Sequence, residues 1–351
     1  MAHFDDLKLS VEQLSGGKNT VLFDDKQMPS IMVPFNKFLI SDVITGGSSN
    51  PHPAFSVGGV EKDVIYVSKF LNCVINSRGY SLAGKDPAAS MNFDTALTYC
   101  RNKGTGWCLT PFSVWAAIAL WCRKNGTMPR GNNNYGADHG YPLEKGTPSM
   151  ARDSSNRVQR TATGSGPNTW NHNWMPDGIA DLNGNINEWC AGMRLVDGEI
   201  QIIPYANIFD PEVSNGDTST AWKAIKSDGS LVSPATSGTL KYDYLNSKVT
   251  LITGSVTDTG GSGRSTEYKS LGLESGLTAP ELAKALILYP DEPNGDYGGD
   301  YHYANMSGER LPICGGGWLS GANAGVFYVN LRDARSNSYA SLGFRSAFVD
   351  L

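Results

Sequence analysis

The sequence predicts a loop-rich α+β fold in which two helices pack on short antiparallel sheets. Two segments combine the apolar spacing of a helix with capping residues at their ends, whereas other apolar stretches are short and strand-like. Forty glycines, together with many Asn and Ser residues, indicate numerous turns. A chain of 351 residues is long enough for one large domain or for two.

Residues 1–51 predict a small N-terminal β module followed by a linker. Apolar residues cluster at 31–35, and a stretch rich in Gly, Ser, Asn and Pro follows at 46–51, as is typical of linkers. An arm packed on the main domain is the alternative that these residues support equally. The main domain is predicted over residues 52–351.

The main domain begins with a strand and a helix. Residues 64–70 have the composition of a strand. The first helix is predicted over roughly 93–102, with Asn92 as its N-cap and Gly104 as the left-handed residue beyond its end.

The second helix is predicted over roughly 111–124. Thr110 is the expected N-cap, Pro111 suits the first helical position, and Gly126 ends the helix.

Residues 209–275 are rich in Ser, Thr, Gly and Asp and predict an insertion within the main domain. One β-hairpin is expected there, over residues 240–252. A short third helix is predicted from 279 to 288, opened by a capping box of Thr278 and Glu281.

The C-terminal segment alternates with a period of two from residue 327. One set of side chains is apolar and predicts a core-facing side: Phe327, Val329 and Leu331. The other set predicts an exposed display surface: Tyr328, Asn330 and Arg332. Residues 332–342 are small and polar, which is loop composition.

Several motifs of this segment match a known pattern of GG-x-W, AG-x-F, R-S-x-S and G-F-R. They are Gly315-Gly316-Gly317-Trp318, Ala324-Gly325-Val326-Phe327, Arg335-Ser336-Asn337-Ser338 and Gly343-Phe344-Arg345. The segment resembles the variable region of diversity-generating retroelement variable proteins, in which an error-prone reverse transcriptase rewrites template adenines. Residues 178–189 resemble the G-x-x-D-x-x-GN-x-x-EW signature of formylglycine-generating-enzyme-like folds. The resemblance implies a C-type-lectin-like domain over 52–351 with a variable region at about 315–343.

The resemblance also implies that a hypervariable C-terminal surface binds a ligand. The predicted binding surface consists of Gly317, Leu319, Ser320, Tyr328, Asn330, Arg332, Asp333, Asn337, Tyr339, Ala340 and Ser341. Its composition suits recognition, because Tyr gives a large contact area at low entropic cost and small polar residues adapt their hydrogen bonds. The scaffold is assigned Trp318, Phe327, Phe344 and Arg345. Arg345 is expected to pair with an acid or a carbonyl beneath the surface.

An enzyme is the competing function class. Formylglycine-generating oxidases use a pair of cysteines after the GG-x-W motif, and this sequence has no cysteine after Trp318. No GxSxG elbow of a serine hydrolase occurs either. We therefore expect a binding protein and not an enzyme, with the oxidase as the less favoured alternative.

No metal or other cofactor is expected. The five histidines form no HxH or HExxH pair. Asn185 and Glu188 could supply oxygens to calcium, but a tight turn at Asn185 and a buried hydrogen-bond network around Glu188 is the favoured alternative. The six cysteines are expected to be mostly buried thiols, with a Cys100–Cys108 pair left open.

Charge and hydropathy restrict the partners and the location. The net charge of −5 and the absence of any Lys/Arg run longer than two argue against nucleic-acid binding. No apolar run approaches 18 residues and no signal peptide is visible at the N-terminus, so membrane insertion is not expected.

The resemblance implies a phage virion, at the tail, with a bacterial surface adhesin as the alternative. The expected partner is a host cell-surface protein or glycan, and homo-oligomerisation would raise avidity.

Overall fold

The computed structural model describes residues 2–351, with side chains from Asp5 onward. Over that range the fold is mixed α+β, dominated by short strands and loops with few helices. The α-helices are α1 (Ala2–Ser15), α2 (Ile40–Val43), α3 (Phe93–Arg101), α4 (Phe112–Asn125) and α5 (Glu281–Ala285). Single 3-10 turns lie at Pro53–Phe55, Asn168–Trp170, Asn207–Phe209, Tyr268–Ser270 and Gly321–Asn323.

The strands are short and spread along the whole chain. In order they are β1 (Thr20–Phe23), β2 (Pro29–Asn36), β3 (Ser56–Val57), β4 (Val60–Glu61), β5 (Val64–Ser68), β6 (Asn72–Ile75), β7 (Arg78–Ser81), β8 (Trp107–Leu109), β9 (Asn187–Trp189), β10 (Met193–Val196), β11 (Glu199–Ile202), β12 (Lys223–Ile225), β13 (Leu231–Val232), β14 (Lys241–Leu245), β15 (Lys248–Ile252), β16 (Arg264–Glu267), β17 (Gly272–Leu273), β18 (Tyr301–Ala304), β19 (Glu309–Arg310), β20 (Ile313–Cys314), β21 (Val329–Leu331), β22 (Leu342–Phe344) and β23 (Ser346–Phe348).

Three larger sheets organise these strands. A five-stranded sheet has the order β1-β2-β5-β23-β8, and a six-stranded sheet has the order β16-β18-β21-β20-β9-β22. An eight-stranded sheet follows the order β13-β12-β11-β14-β15-β17, with β10 pairing β11 and β19. Two further pairs, β3-β4 and β6-β7, are separate hairpins.

The N-terminal segment shares a sheet with the rest of the chain. Strand β2 pairs antiparallel with β5 from Met32↔Ser68 to Asn36↔Val64, and β5 pairs in turn with β23. This pairing corresponds to the alternative of an arm packed on the main domain. The predicted N-terminal β module contains strands β1 and β2, but helix α1 precedes them. Leu7, Val11 and Leu14 of α1 recur at spacings of four and three residues, which is a helical pattern that the interpretation of this segment as β overlooked.

The two main helices lie where the sequence predicts them, but one cap differs. The Asn92 side chain accepts a hydrogen bond from Thr95 N at 2.9 Å and caps α3 as expected. Helix α4 ends at Gly126, whose φ of 66° is left-handed. The N-cap of α4 is Pro111, so the prediction of Thr110 was wrong. The Thr110 hydroxyl instead donates to the carbonyl of Arg345 at 2.8 Å.

The predicted hairpin is confirmed, whereas the predicted capping box is not. Strands β14 and β15 are joined by Asn246 and Ser247 with φ of 50° and 61°, as a type I′ turn requires. Helix α5 is shorter than predicted and has Pro280 at its N-cap. The Glu281 carboxylate accepts from the amide and hydroxyl of Ser48, each at 2.7 Å, so it cannot close a capping box.

Helix α4 is the centre of the main hydrophobic core. Ten of its fourteen residues are buried, and the Trp115 indole N–H donates to the carbonyl of Val326 at 2.8 Å. This bond ties the core to the segment that enters β21. All six cysteines are free, so Cys100 and Cys108 do not form a disulfide. Within residues 2–351, no helix has both the length and the apolar character needed to cross a membrane.

Candidate binding surface

The six-stranded sheet brings the two motif matches together. Strand β9, from the G-N-x-x-E-W segment, pairs with β20 on one side and with β22 on the other. Beneath the sheet, Arg345 Nε and Nη2 donate to the two carboxylate oxygens of Glu188 at 2.9 and 3.0 Å. Both side chains are almost fully buried. The expectation that Arg345 pairs with an acid is confirmed.

Burial opposes ionisation of the carboxyls around this ion pair. It raises the pKa of Glu188, while the Arg345 guanidinium acts in the opposite direction. Burial also raises the pKa of Asp181 to about 6, against the opposing effects of a hydrogen bond from Gly164 N and of Arg345. The Arg345 guanidinium therefore sits beside two carboxyls whose ionisation burial disfavours.

The oxygens considered for calcium are occupied by protein partners. Both carboxylate oxygens of Glu188 accept hydrogen bonds from Arg345. Asn185 has a left-handed φ of 63°, and its side-chain oxygen accepts from Thr161 N at 2.9 Å. This arrangement corresponds to the turn and buried network of the alternative interpretation.

The core-facing side of β21 is confirmed, whereas exposure of the opposite side is not. Phe327, Val329 and Leu331 are fully buried. Tyr328 and Asn330, however, are only 6% and 4% exposed, so the prediction that they face solvent was wrong. The reason is the neighbouring parallel strand β18, which places its own side chains over this side of β21. Burial raises the pKa of the Tyr328 hydroxyl.

Tyr303 of β18 is the central residue that sequence reasoning missed. Its ring centroid lies 5.2 Å from that of Tyr328, and the Arg332 guanidinium lies 4.3 Å from the same Tyr303 ring. The Tyr303 hydroxyl accepts a hydrogen bond from Asn323 Nδ2 at 3.1 Å. Its signal was present in the alternation of residues 301–304, where Tyr301 and Tyr303 face one way.

Asn330 and Asp333 organise the loop that follows β21. The Asn330 side-chain oxygen accepts from Arg332 N at 3.0 Å and from Arg332 Nε at 3.1 Å. Asn330 Nδ2 donates to Asp333 at 3.0 Å, and Asp333 accepts from Asn337 Nδ2 at 2.6 Å. Asp333 is buried, while Arg332 and Asn337 are exposed. The buried side chains of Asn330 and Asp333 thus hold the exposed Arg332 and Asn337 in place.

Arg335 anchors the far side of this loop. Its guanidinium donates to Glu309 at 3.0 and 3.1 Å and to Asp94 at 2.8 Å. It also lies 5.1 Å from the ring centroid of Phe93. The arginine of the R-S-x-S motif therefore fastens the loop to α3 and β19.

The segment after β20 forms a second edge of the surface. Gly317 N donates to the Ser320 hydroxyl at 3.0 Å. A Cβ added at Gly317 would lie 3.0 Å from Asn187 Nδ2 and 3.3 Å from Ser341 Cβ, so position 317 directly adjoins 341. Gly317 and Ser341 are buried, Ser320 is half-buried, and Leu319 is 59% exposed.

Tyr339 and Ala340 complete the surface before β22. Tyr339 is half-buried, and burial together with the nearby Asp333 and Tyr328 raises its pKa. Ala340 is exposed, and its carbonyl accepts from Arg160 Nη1 at 3.2 Å. Close contacts and hydrogen bonds therefore link most residues of the predicted binding surface, both in the loop after β21 and in the segment after β20.

The predicted binding surface has two layers. The exposed or half-exposed layer contains Leu319, Ser320, Arg332, Asn337, Tyr339 and Ala340. The buried layer contains Gly317, Tyr328, Asn330, Asp333 and Ser341. A hydrogen-bonded floor that carries exposed, chemically varied side chains is suited to noncovalent recognition.

The two layers predict different tolerance to substitution. We expect Leu319→Ser and Ala340→Ser to change the free energy of unfolding by less than about 0.5 kcal/mol, because exposed residues make few contacts. Asn330→Ala should cost about 1 to 1.5 kcal/mol, since it removes three side-chain hydrogen bonds, one of them buried. Urea denaturation measures both effects, and equal costs for the two layers would contradict the assignment.

Comparisons with known proteins give matches of low similarity among the solved structures. No protein-family model and no curated protein matches the chain. One similar solved structure is the Major Tropism Determinant U1 Variant, with 10% identity and a TM-score of 0.32 over 94% of this chain and 71% of that one. Another is Treponema denticola variable protein 1, with 12% identity and a TM-score of 0.32 over 94% of this chain and 98% of that one. In its motifs, the chain resembles the variable proteins of diversity-generating retroelements.

Proposed function

We propose that this protein binds a receptor through the predicted binding surface, on a C-type-lectin-like domain spanning residues 52–351. The observation that carries the proposal is the division of that surface into a fixed, hydrogen-bonded floor and an exposed layer. A protein whose surface is diversified needs such a division, because side chains must change without loss of the fold. The setting we propose is the tail tip of a phage virion.

The expected partner is a protein or glycan on the surface of a host cell. Exposed Arg332 offers a charged contact, while Leu319 offers an apolar one. A patch of this extent buries on the order of several hundred Å² per partner, less than the roughly 800 Å² of a standard interface. Affinity per copy is then modest, so we propose display as a homo-oligomer that gains avidity.

The surroundings of Cys314 do not support the thiol chemistry of a formylglycine-generating oxidase. Cys314 is buried against Cys190, and burial raises its pKa well above the ordinary range of a thiol. A buried, protonated thiol is a poor nucleophile and a poor metal ligand. A bacterial surface adhesin would use the same binding chemistry and differs only in its location.

The nucleotide sequence around the gene tests the proposal. We expect a nearby repeat that differs from codons 315–343 only at template adenines, together with a reverse-transcriptase gene. Adjacent phage structural genes would favour the virion over the adhesin. Differences that are not adenine-derived, or the absence of any repeat, would contradict diversification of this surface.

A further inference from the structure

A cavity of about 630 Å³ lies outside the variable region. It opens between the end of α4, residues 128–141 and residues 292–296, and none of its lining residues belongs to the predicted binding surface. Its volume lies within the range of pockets that hold small molecules.

Two exposed aromatic rings line this cavity, and a guanidinium lies near both of them. Tyr141 is 51% exposed and Trp174 is 38% exposed. The Arg130 guanidinium carbon lies 3.2 Å from the ring centroid of Tyr141 and 5.7 Å from that of Trp174. The Trp174 indole N–H donates to the carbonyl of Met128 at 3.1 Å, which fixes the plane of the ring. The rings are therefore held in place before any ligand arrives.

The backbone of Trp174 is strained. Its φ of 56° lies in the left-handed region, which bulky L-residues rarely adopt and which glycine adopts freely. Trp174 also keeps 38% of its surface exposed, so burial alone does not explain a large aromatic residue at this strained position. Strain of this kind concentrates at binding sites.

The charges of the cavity do not favour an ion as the ligand. Arg123 is bonded to Asp291 and Glu292, and Arg130 is paired with Glu144. Of the remaining lining charges, Lys124 and Asp296 have opposite signs. The Arg130 guanidinium already lies over the Tyr141 ring, where a cationic ligand would otherwise stack. The cavity thus presents flat apolar faces beside both a donor and an acceptor.

We propose that this cavity is a binding site for a neutral saccharide. The C–H face of a pyranose ring stacks on Trp174 or Tyr141, and its hydroxyls bond to Lys124 and Asp296. One oxygen of Asp296 accepts from Gly298 N at 3.0 Å, which restrains the carboxylate. This site lies outside the diversified residues and would give the protein a constant, weak affinity for cell-surface glycans.

Tryptophan fluorescence reports directly on this cavity. Of the eight tryptophans, Trp174 is exposed and Trp121 is half-buried, while the other six are at most 4% exposed. Acrylamide should therefore quench mainly Trp174. The probes are the methyl glycosides of glucose, galactose, mannose and N-acetylglucosamine at millimolar concentration. We expect at least one of them to protect the acrylamide-accessible fluorescence.

Variants separate this site from other sugar contacts. Trp174→Gly should fold, because glycine relieves the backbone strain, and should lose saturation-transfer NMR signals from the protecting glycoside. Asp296→Asn should weaken binding about tenfold through loss of a charged hydrogen-bond acceptor. Val60→Ser is the matched control and should bind as the wild type does, because Val60 is exposed and lies outside both the cavity and the predicted binding surface. Absence of protection by every glycoside, or unchanged binding by the folded Trp174→Gly variant, would overturn the proposal.

Discussion

Replacement of Arg345 by Met is expected to lower the free energy of unfolding by about 3–5 kcal/mol, because it leaves the buried Glu188 carboxylate without its partner. The guanidinium also donates to the carbonyls of Ser68 and Ala180, each at 2.8 Å. These acceptors lie on β5 and next to Asp181, so one side chain joins three separate segments. Thermal and urea denaturation measure the loss.

A surface arginine provides the matched control for this prediction. Arg157 pairs with Asp153 at 2.9 Å, but its side chain is 49% exposed. Arg157→Met should leave the melting temperature nearly unchanged, because water replaces an exposed partner at little cost. Adding Glu188→Leu to Arg345→Met should recover part of the lost stability, since no unpaired charge then remains buried. Equal losses for the two arginines would show that the buried pair has no special role.

Features with local signals were predictable from the sequence. Helix α3 has its cap at Asn92, α4 has its left-handed end at Gly126, and the β14–β15 hairpin has its turn at Asn246. Each depends on residues within a few positions of one another. The core-facing alternation of residues 327–331 is local in the same sense.

Features that depend on distant partners were not predictable. Tyr328 was expected to be exposed, and its burial results from Tyr303 on β18, which the sequence does not link to β21. Thr278 and Glu281 have the sequence spacing of a capping box, yet the Glu281 carboxylate binds Ser48, which is far away along the chain. In both cases tertiary pairing decides the environment of a side chain whose local pattern favours another role.

His302 provides a second large effect, which depends on pH. Its side chain is fully buried beside Tyr242, with ring centroids 4.9 Å apart, and neither ring nitrogen has a hydrogen-bond partner among the described residues. Burial lowers the pKa of His302 from 6.5 to about 3. Below pH 6.5 the imidazole of the unfolded chain therefore binds a proton, whereas that of the folded protein does not. The stability linked to neutral His302 is lost as the pH falls toward 3.

We expect His302→Phe to reveal this loss by comparison with the wild type. The difference in unfolding free energy between the variant and the wild type should shift in favour of the variant by about 2 kcal/mol between pH 7 and pH 5, since 1.5 pH units below 6.5 correspond to that energy. Other titrating groups cancel in the difference because both proteins contain them. Urea denaturation at the two pH values measures it. An unchanged difference would mean that the folded protein protonates His302 as readily as the unfolded chain does, and NMR titration of the ring would then show a transition near pH 6.5.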